Sequence, residues 1–223
     1  MPRRTNTRER LIETAAGLFW RQGYAQTGVN EIMQQAQTTS GSFYHFFPAK
    51  QDLLLAVVDH VGELLEAEVF AAAADRSDDP LEQVFAVIDA SRRHLESNDF
   101  NLGSPLGALA AELSASHPEV RERIAGLFDA WTDRVGALLE AAGSRLPPEI
   151  DRRALARFIL AVVEGAILEA RVSRDLTPFD AAVAELRRHL ALLAPGVQPA
   201  AARSAQPRPT PRPQPRAADW RAW

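Results

Sequence analysis

The 223-residue chain is predicted to be all-α, with a three-helix head, a six-helix body and a disordered C-terminal tail. Three observations lead there. Apolar residues recur at helical spacing almost throughout, and no stretch alternates with the period of a strand. Asp79-Pro80, Ser104-Pro105, His117-Pro118 and Thr177-Pro178 stand where helices would begin, because proline at the first helical position gives up an N–H that has no intrahelical partner anyway. Beyond Pro195 the composition changes, with seven of the fifteen prolines falling at 195, 199, 207, 209, 211, 213 and 215 among Ala and Arg. Such a stretch buries too little apolar surface to offset its chain entropy.

The elements follow in order. Leu11, Ala15, Leu18 and Phe19 form the first stripe, stopped at Gly23, a residue suited to the left-handed end of a helix. A short helix from Thr27 or Gly28 to Ala36 carries Val29, Ile32 and Met33 on one face, and a second runs from about Thr39 to Phe46. After Pro48 a long helix starts near Lys50 and reads through Leu53, Leu54, Val57, Val61, Leu64 and Leu65. Asp79-Pro80 opens a helix to about Glu96, Ser104-Pro105 one through Leu113, and His117-Pro118 one ending at Gly143. An apolar helix spans Ala154 to about Val172, and the last lies between Thr177-Pro178 and Pro195. The expected domains are 1–50 (helix-turn-helix), 51–195 (body) and 196–223 (tail).

Charge is unevenly spread. Residues 1–50 carry six bases against three acids, residues 51–194 carry 14 against 25, and the tail carries five Arg against Asp219. A basic head on an acidic body suits a nucleic-acid binder with an attached domain of another kind, although clustering by chance gives the same pattern. There is no cysteine, so no disulfide, thiolate metal site or cysteine nucleophile is possible. No signal peptide and no run of about 18 apolar residues is found. A cytoplasmic protein without membrane attachment, metal or cofactor is expected.

Two short helices joined by a tight turn and backed by a longer one make a helix-turn-helix. The second must lie in the major groove, so its outer face should be small and polar, as Thr39, Ser40 and Ser42 are. Phe43 and Phe47 supply the inner, docking face, and Gly41 leaves the backbone room to approach a duplex. Thr27 stands where its hydroxyl would cap the first short helix or meet a phosphate. Tyr24, Tyr44, His45 and Lys50 offer donors of the kind that fix register on phosphates without reading sequence. Tyr44 has a competing role, packing the head on the fourth helix.

The string Phe19-x-x-x-Gly23-Tyr24-x-x-Thr27-x-Val29-x-x-Ile32, followed by Ser40-Gly41-Ser42-Phe43-Tyr44-His45-Phe46-Phe47-x-x-Lys50-x-x-Leu53-Leu54, resembles the TetR family signature. The resemblance implies that Thr39, Ser40, Ser42 and Tyr44 face DNA while Thr27, His45 and Lys50 meet its backbone. Three positions depart from the pattern. Gln37 stands where a left-handed glycine is usual, at a cost of about 1 kcal/mol; Thr38 replaces an apolar residue; and Phe46 replaces a common histidine. Residues 101–113, Asn-Leu-Gly-Ser-Pro-Leu-Gly-Ala-Leu-Ala-Ala-Glu-Leu, are similar to the subgroups around LmrA, YxaF and AcuR. Those relatives often have cysteine where Ser104 stands, so sensing through a thiol is excluded here.

The resemblance implies a body that senses a small molecule and forms a homodimer on double-stranded operator DNA. Phe85, Phe100, Phe128 and Trp131 are candidates for an apolar pocket with Glu112 and Glu164 as polar members; ordinary core is the other reading. Phe158, Val162, Gly165 and Ala166, with Leu186 and Leu190 of the last helix, are the expected dimer interface. The expected function is repression, released from a palindromic operator by an effector. A ligand-independent architectural or partner-docking DNA binder is the alternative. No metal cluster, phosphate loop or nucleophile elbow supports an enzyme.

Overall fold

The computed structural model describes residues 7–193, and every regular element in that range is helical. The helices are α1 (Thr7–Gln22), α2 (Val29–Gln35), α3 (Ser40–Phe46), α4 (Lys50–Leu64), α5 (Ala71–Ala74), α6 (Pro80–Ser97), α7 (Pro105–Leu113), α8 (Pro118–Ala141), α9 (Arg152–Ser173) and α10 (Thr177–Leu193). A π-helical segment, Leu65–Phe70, joins α4 to α5, so 50–74 is one interrupted helix; the described residues then hold nine such helices and one short 3-10 turn, Gly143–Arg145. The predicted all-α class is therefore observed. The tail 196–223, with Arg3 and Arg4, lies outside the described residues.

Local chemistry sets the helix ends. Gly23, at φ +86°, closes α1 with its N–H on the Phe19 carbonyl at 2.9 Å. Asp79 caps α6, Ser104 caps α7 and Asp151 caps α9, each accepting a backbone N–H at 2.9–3.0 Å; such caps contribute about 1 kcal/mol apiece. The N–H of Ala49 donates to Asp52 Oδ2 at 2.7 Å where α4 begins.

The chain forms two compact units. Among the described residues, the first contains 7–68 together with Ser104–Phe128, and the second contains Val69–Gly103 and 129–193. In the first, α1 to α4 share one core with α7 and the start of α8. Leu11, Leu18, Phe19, Ile32, Phe43, Leu53 and Leu54 pack in it with Leu106, Leu109, Leu113, Val120 and Ile124. Phe43 is fully buried, which contributes on the order of 1.5–3 kcal/mol.

In the second unit, α9 and α10 form a hairpin turned at Arg174, itself left-handed at φ 52°, and α6 packs on α9. Leu155, Ala156, Ile159, Val163, Phe179, Leu186 and Leu190 fill its core. Arg145 clasps Asp79 with two bonds of 2.9 and 2.6 Å, holding that carboxyl down at about 2. The turn after α6 is strained, with Asp99 and Phe100 both at positive φ (53° and 60°). Buried Asn98 steadies it by accepting the Leu102 N–H at 3.0 Å and lying 2.7 Å from Nε2 of buried His94.

Candidate nucleic-acid interface

The two short helices meet at a Schellman turn. Thr38 donates its N–H to the Met33 carbonyl at 3.0 Å and Gln37 donates to that of Gln34 at 3.2 Å. Gln37 carries the left-handed conformation, φ 49°, that its position implied. Its side chain is exposed.

Helix α3 is capped by Thr39, whose hydroxyl accepts the Ser42 N–H at 3.2 Å and donates to Ser42 Oγ at 3.1 Å. Phe43 and Phe47 turn inward, while Thr39, Ser40, Gly41, Tyr44 and His45 are exposed and Ser42 is half-buried. Tyr44 is 55% exposed, which rules out the packing role. Its ring meets Phe43 edge-on at 5.1 Å, so a core side chain aims a solvent-facing one. A methyl on Gly41 would touch nothing nearer than Thr39 Oγ1 at 4.0 Å. The protein does not need glycine there. The exposed face is thus hydroxyls, a phenol and an imidazole, groups able to donate to phosphates and accept from base edges.

Thr27 departs from expectation. Gly28, not Thr27, is the cap residue of α2, and Thr27 is buried. Its hydroxyl donates inward to the Gly23 carbonyl at 2.7 Å and accepts from Gln22 Nε2 at 3.3 Å. It braces the α1–α2 turn rather than reaching a phosphate.

Lys50 is half-buried, with Nζ 2.5 Å from the Tyr24 carbonyl and 3.9 Å from the centre of the Tyr24 ring. Burial pushes its ammonium below the usual lysine range, while the Glu112 carboxylate opposes this. Burial and Glu112 together push the Tyr24 phenol up. Glu112, expected as a polar pocket member, accepts the N–H groups of Tyr24 and Ala25 at 2.9 and 2.7 Å. That carboxylate is committed to the head.

The other pocket candidates divide. Phe128 packs on the core of the first unit. Phe85, Phe100, Trp131 and Glu164 belong to the second. There the Arg187 guanidinium covers the Phe85 ring at 3.7 Å, and Trp131 meets Phe70 edge-on at 6.2 Å.

The dimer candidates also need correction. Ala166, Leu186 and Leu190 are buried inside the protomer, because α9 and α10 use those positions to pack within their own unit. Phe158 and Gly165 are exposed and Val162 is half-buried. Three exposed apolar residues were missed: Leu168 (61%), Val172 (79%) and Leu192 (78%). The signal was present, since 158, 162, 165, 168 and 172 advance by three or four and trace one stripe on α9. His189 of α10 meets Phe158 at 5.8 Å, carrying this face across the hairpin. Among the described residues no group of three His, Asp or Glu is placed to hold a metal, and no helix is long and apolar enough to cross a membrane.

Comparison with known proteins agrees with this architecture. Residues 11–57 match the family of bacterial regulatory proteins of the tetR type, and residues 80–185 match the C-terminal domain of LmrA/YxaF-like transcriptional regulators. An HTH-type transcriptional regulator of Mycobacterium tuberculosis is 36% identical, over 82% of this chain and 93% of its own length. The regulator YxaF of Bacillus subtilis is 30% identical over 80% of this chain and 92% of its own. A crystal structure of a regulatory protein TetR from Rhodobacter sphaeroides superposes with a TM-score of 0.75 at 27% identity, covering 82% of this chain and 98% of that one.

Proposed function

Because the chain belongs to the TetR family of transcriptional regulators, we propose that it represses transcription as a homodimer on a palindromic operator and is released by a small-molecule effector. It is a DNA-binding helix-turn-helix regulator, not an enzyme. The observation that carries the reading is the division of α3 into a buried Phe43–Phe47 side and an exposed Thr39–Ser40–Tyr44–His45 side. A seven-residue helix pinned by its aromatic side offers its polar side to the major groove, at work on DNA in the cytoplasm.

Thr39, Ser40, Ser42 and Tyr44 meet the duplex, with Gly41 allowing close approach and His45 on the phosphates. Lys50 supports them from the Tyr24 carbonyl. Two such helices, about 34 Å apart across a two-fold axis, read half-sites one turn apart. The exposed stripe Phe158, Val162, Gly165, Leu168, Val172, together with Leu192, makes that two-fold contact. The effector occupies the second unit beside Phe85, Phe100, Trp131 or Glu164. It releases DNA only through a difference in its affinity for the bound and free conformations.

The test is selection of duplexes from a random pool, followed by titration of the winner with wild type and Tyr44→Ala. A palindromic consensus whose affinity falls at least tenfold on losing Tyr44 supports the reading. Recovery of no consensus, or an asymmetric one, overturns it.

A further inference from the structure

The carboxylate of Glu112 reaches from α7 to the turn between α1 and α2, about ninety residues away in sequence. Its oxygens accept two successive backbone N–H groups, those of Tyr24 and Ala25, at 2.9 and 2.7 Å. The approach is close: a methyl added to Gly23 would lie 3.0 Å from Glu112 Oε2. Around the same turn, Lys50 of α4 donates to the Tyr24 carbonyl, and the His117 ring stands edge-on to that of Tyr24 at 5.4 Å.

The turn is itself tied to α2. Gln22 Nε2 donates to Thr27 Oγ1 at 3.3 Å and to Glu31 Oε2 of α2 at 2.8 Å. Helix α2 seats α3 through the Schellman turn. A path of hydrogen bonds therefore runs from α7 through 23–27 to α2. It begins in the segment that matches the C-terminal domain of LmrA/YxaF-like regulators and ends in the segment that matches the bacterial regulatory proteins of the tetR family. Both ends lie in the same compact unit.

We propose that Glu112 is a positioning residue for DNA reading, the side chain by which α7 fixes the α1–α2 turn and so sets the seat of α2 and α3. The carboxylate touches no DNA. Its work is to hold the two adjacent amides of Tyr24 and Ala25, just beyond the end of α1. A shift of α7 along its axis would pull the turn with it, because a carboxylate bound to two adjacent amides has little freedom to slide. The claim rests on the DNA-reading role of α3, and the experiment separates the two.

Full-length wild type, Glu112→Ala and Glu112→Gln are titrated with the duplex that wild type selects from a random pool and with an unrelated duplex of equal length. Hydrogen exchange at the Tyr24 and Ala25 amides is followed in parallel. With Glu112→Ala the dissociation constant for the selected duplex should rise about tenfold, that for the unrelated duplex should stay unchanged, and both amides should exchange faster. Glu112→Gln, which keeps one carbonyl acceptor, should fall between. An equal loss on both duplexes, or unchanged affinity for the selected one, overturns the proposal. If wild type selects no sequence, the DNA-reading role fails instead, and unchanged exchange at the two amides then overturns the latch. Should Glu112→Ala not fold, Glu112→Gln decides by the same two readouts.

Discussion

Gly62 of α4 and Leu127 of α8 are in such close contact that a methyl on Gly62 would lie 2.5 Å from Leu127 Cδ2. Helix propensity alone would favour alanine over glycine there by about 1 kcal/mol, and crowding opposes it. Gly62→Ala should therefore gain nothing or destabilise in the wild-type background, yet stabilise by about 1 kcal/mol in a Leu127→Ala background. Urea denaturation of the four proteins in the cycle measures the coupling. A Gly62→Ala effect that is the same in both backgrounds would contradict the contact.

Gln37 holds a left-handed conformation, φ 49°, with an exposed side chain. Replacing it with glycine should stabilise the protein by about 1 kcal/mol, read as a rise of roughly 2–4 °C in melting temperature. Calorimetry of Gln37→Gly checks this. A fall in melting temperature would mean the side chain has a stabilising partner.

His94 makes the second unit sensitive to acid. Burial pushes its ring down to about 4, opposed by a hydrogen bond to the Leu102 backbone. The folded protein thus keeps the ring neutral where the unfolded chain would protonate it. The resulting stabilisation, up to about 3 kcal/mol, is complete above pH 6.5 and is lost as pH falls towards 4. The Asp79 contribution disappears only lower, between 3.8 and about 2. Urea midpoints at pH 7.5 and 5 should converge for His94→Gln and separate for wild type. Equal pH slopes for the two proteins would refute the assignment.

The α9–α10 face separates two kinds of apolar residue. Val172 and Leu168 are exposed, so Leu168→Glu with Val172→Glu should leave the fold intact and shift the protein to monomer in sedimentation. Leu190 is fully buried, so Leu190→Ala should cost about 2–5 kcal/mol of stability. If the charged pair stays dimeric, the two-fold contact lies elsewhere.

Much of this was legible in the sequence, and the failures share a cause. Helix ends were readable because they are local: Gly23, Ser104 and Asp79 act on groups within four residues. The outward face of α3 was legible for the same reason, since Phe43 and Phe47 fix which side is in. Thr27 was misjudged because a hydroxyl at a helix start has two near partners, the α2 amides and the Gly23 carbonyl, and the sequence does not rank them. Glu112 was misplaced because its partners are backbone amides in another element, which leave no trace in side-chain pattern. Leu186 and Leu190 were assigned to a partner although their own neighbour, α9, had first claim on them.

The core around α1 to α4 is completed by Leu106, Leu109, Leu113, Val120 and Ile124, residues that enter the chain about sixty to eighty positions after the end of α3. The helix-turn-helix part is therefore not a module that can be cut at one peptide bond. Grafting residues 1–50 of this chain onto a relative's body would carry over the exposed side of α3 but leave the underside of the head to be completed by foreign residues. A working chimera has to carry α7 and the first turns of α8 along with the graft. By the same logic, substitution on the exposed side of α3 leaves this core intact, whereas exchange of the whole head does not.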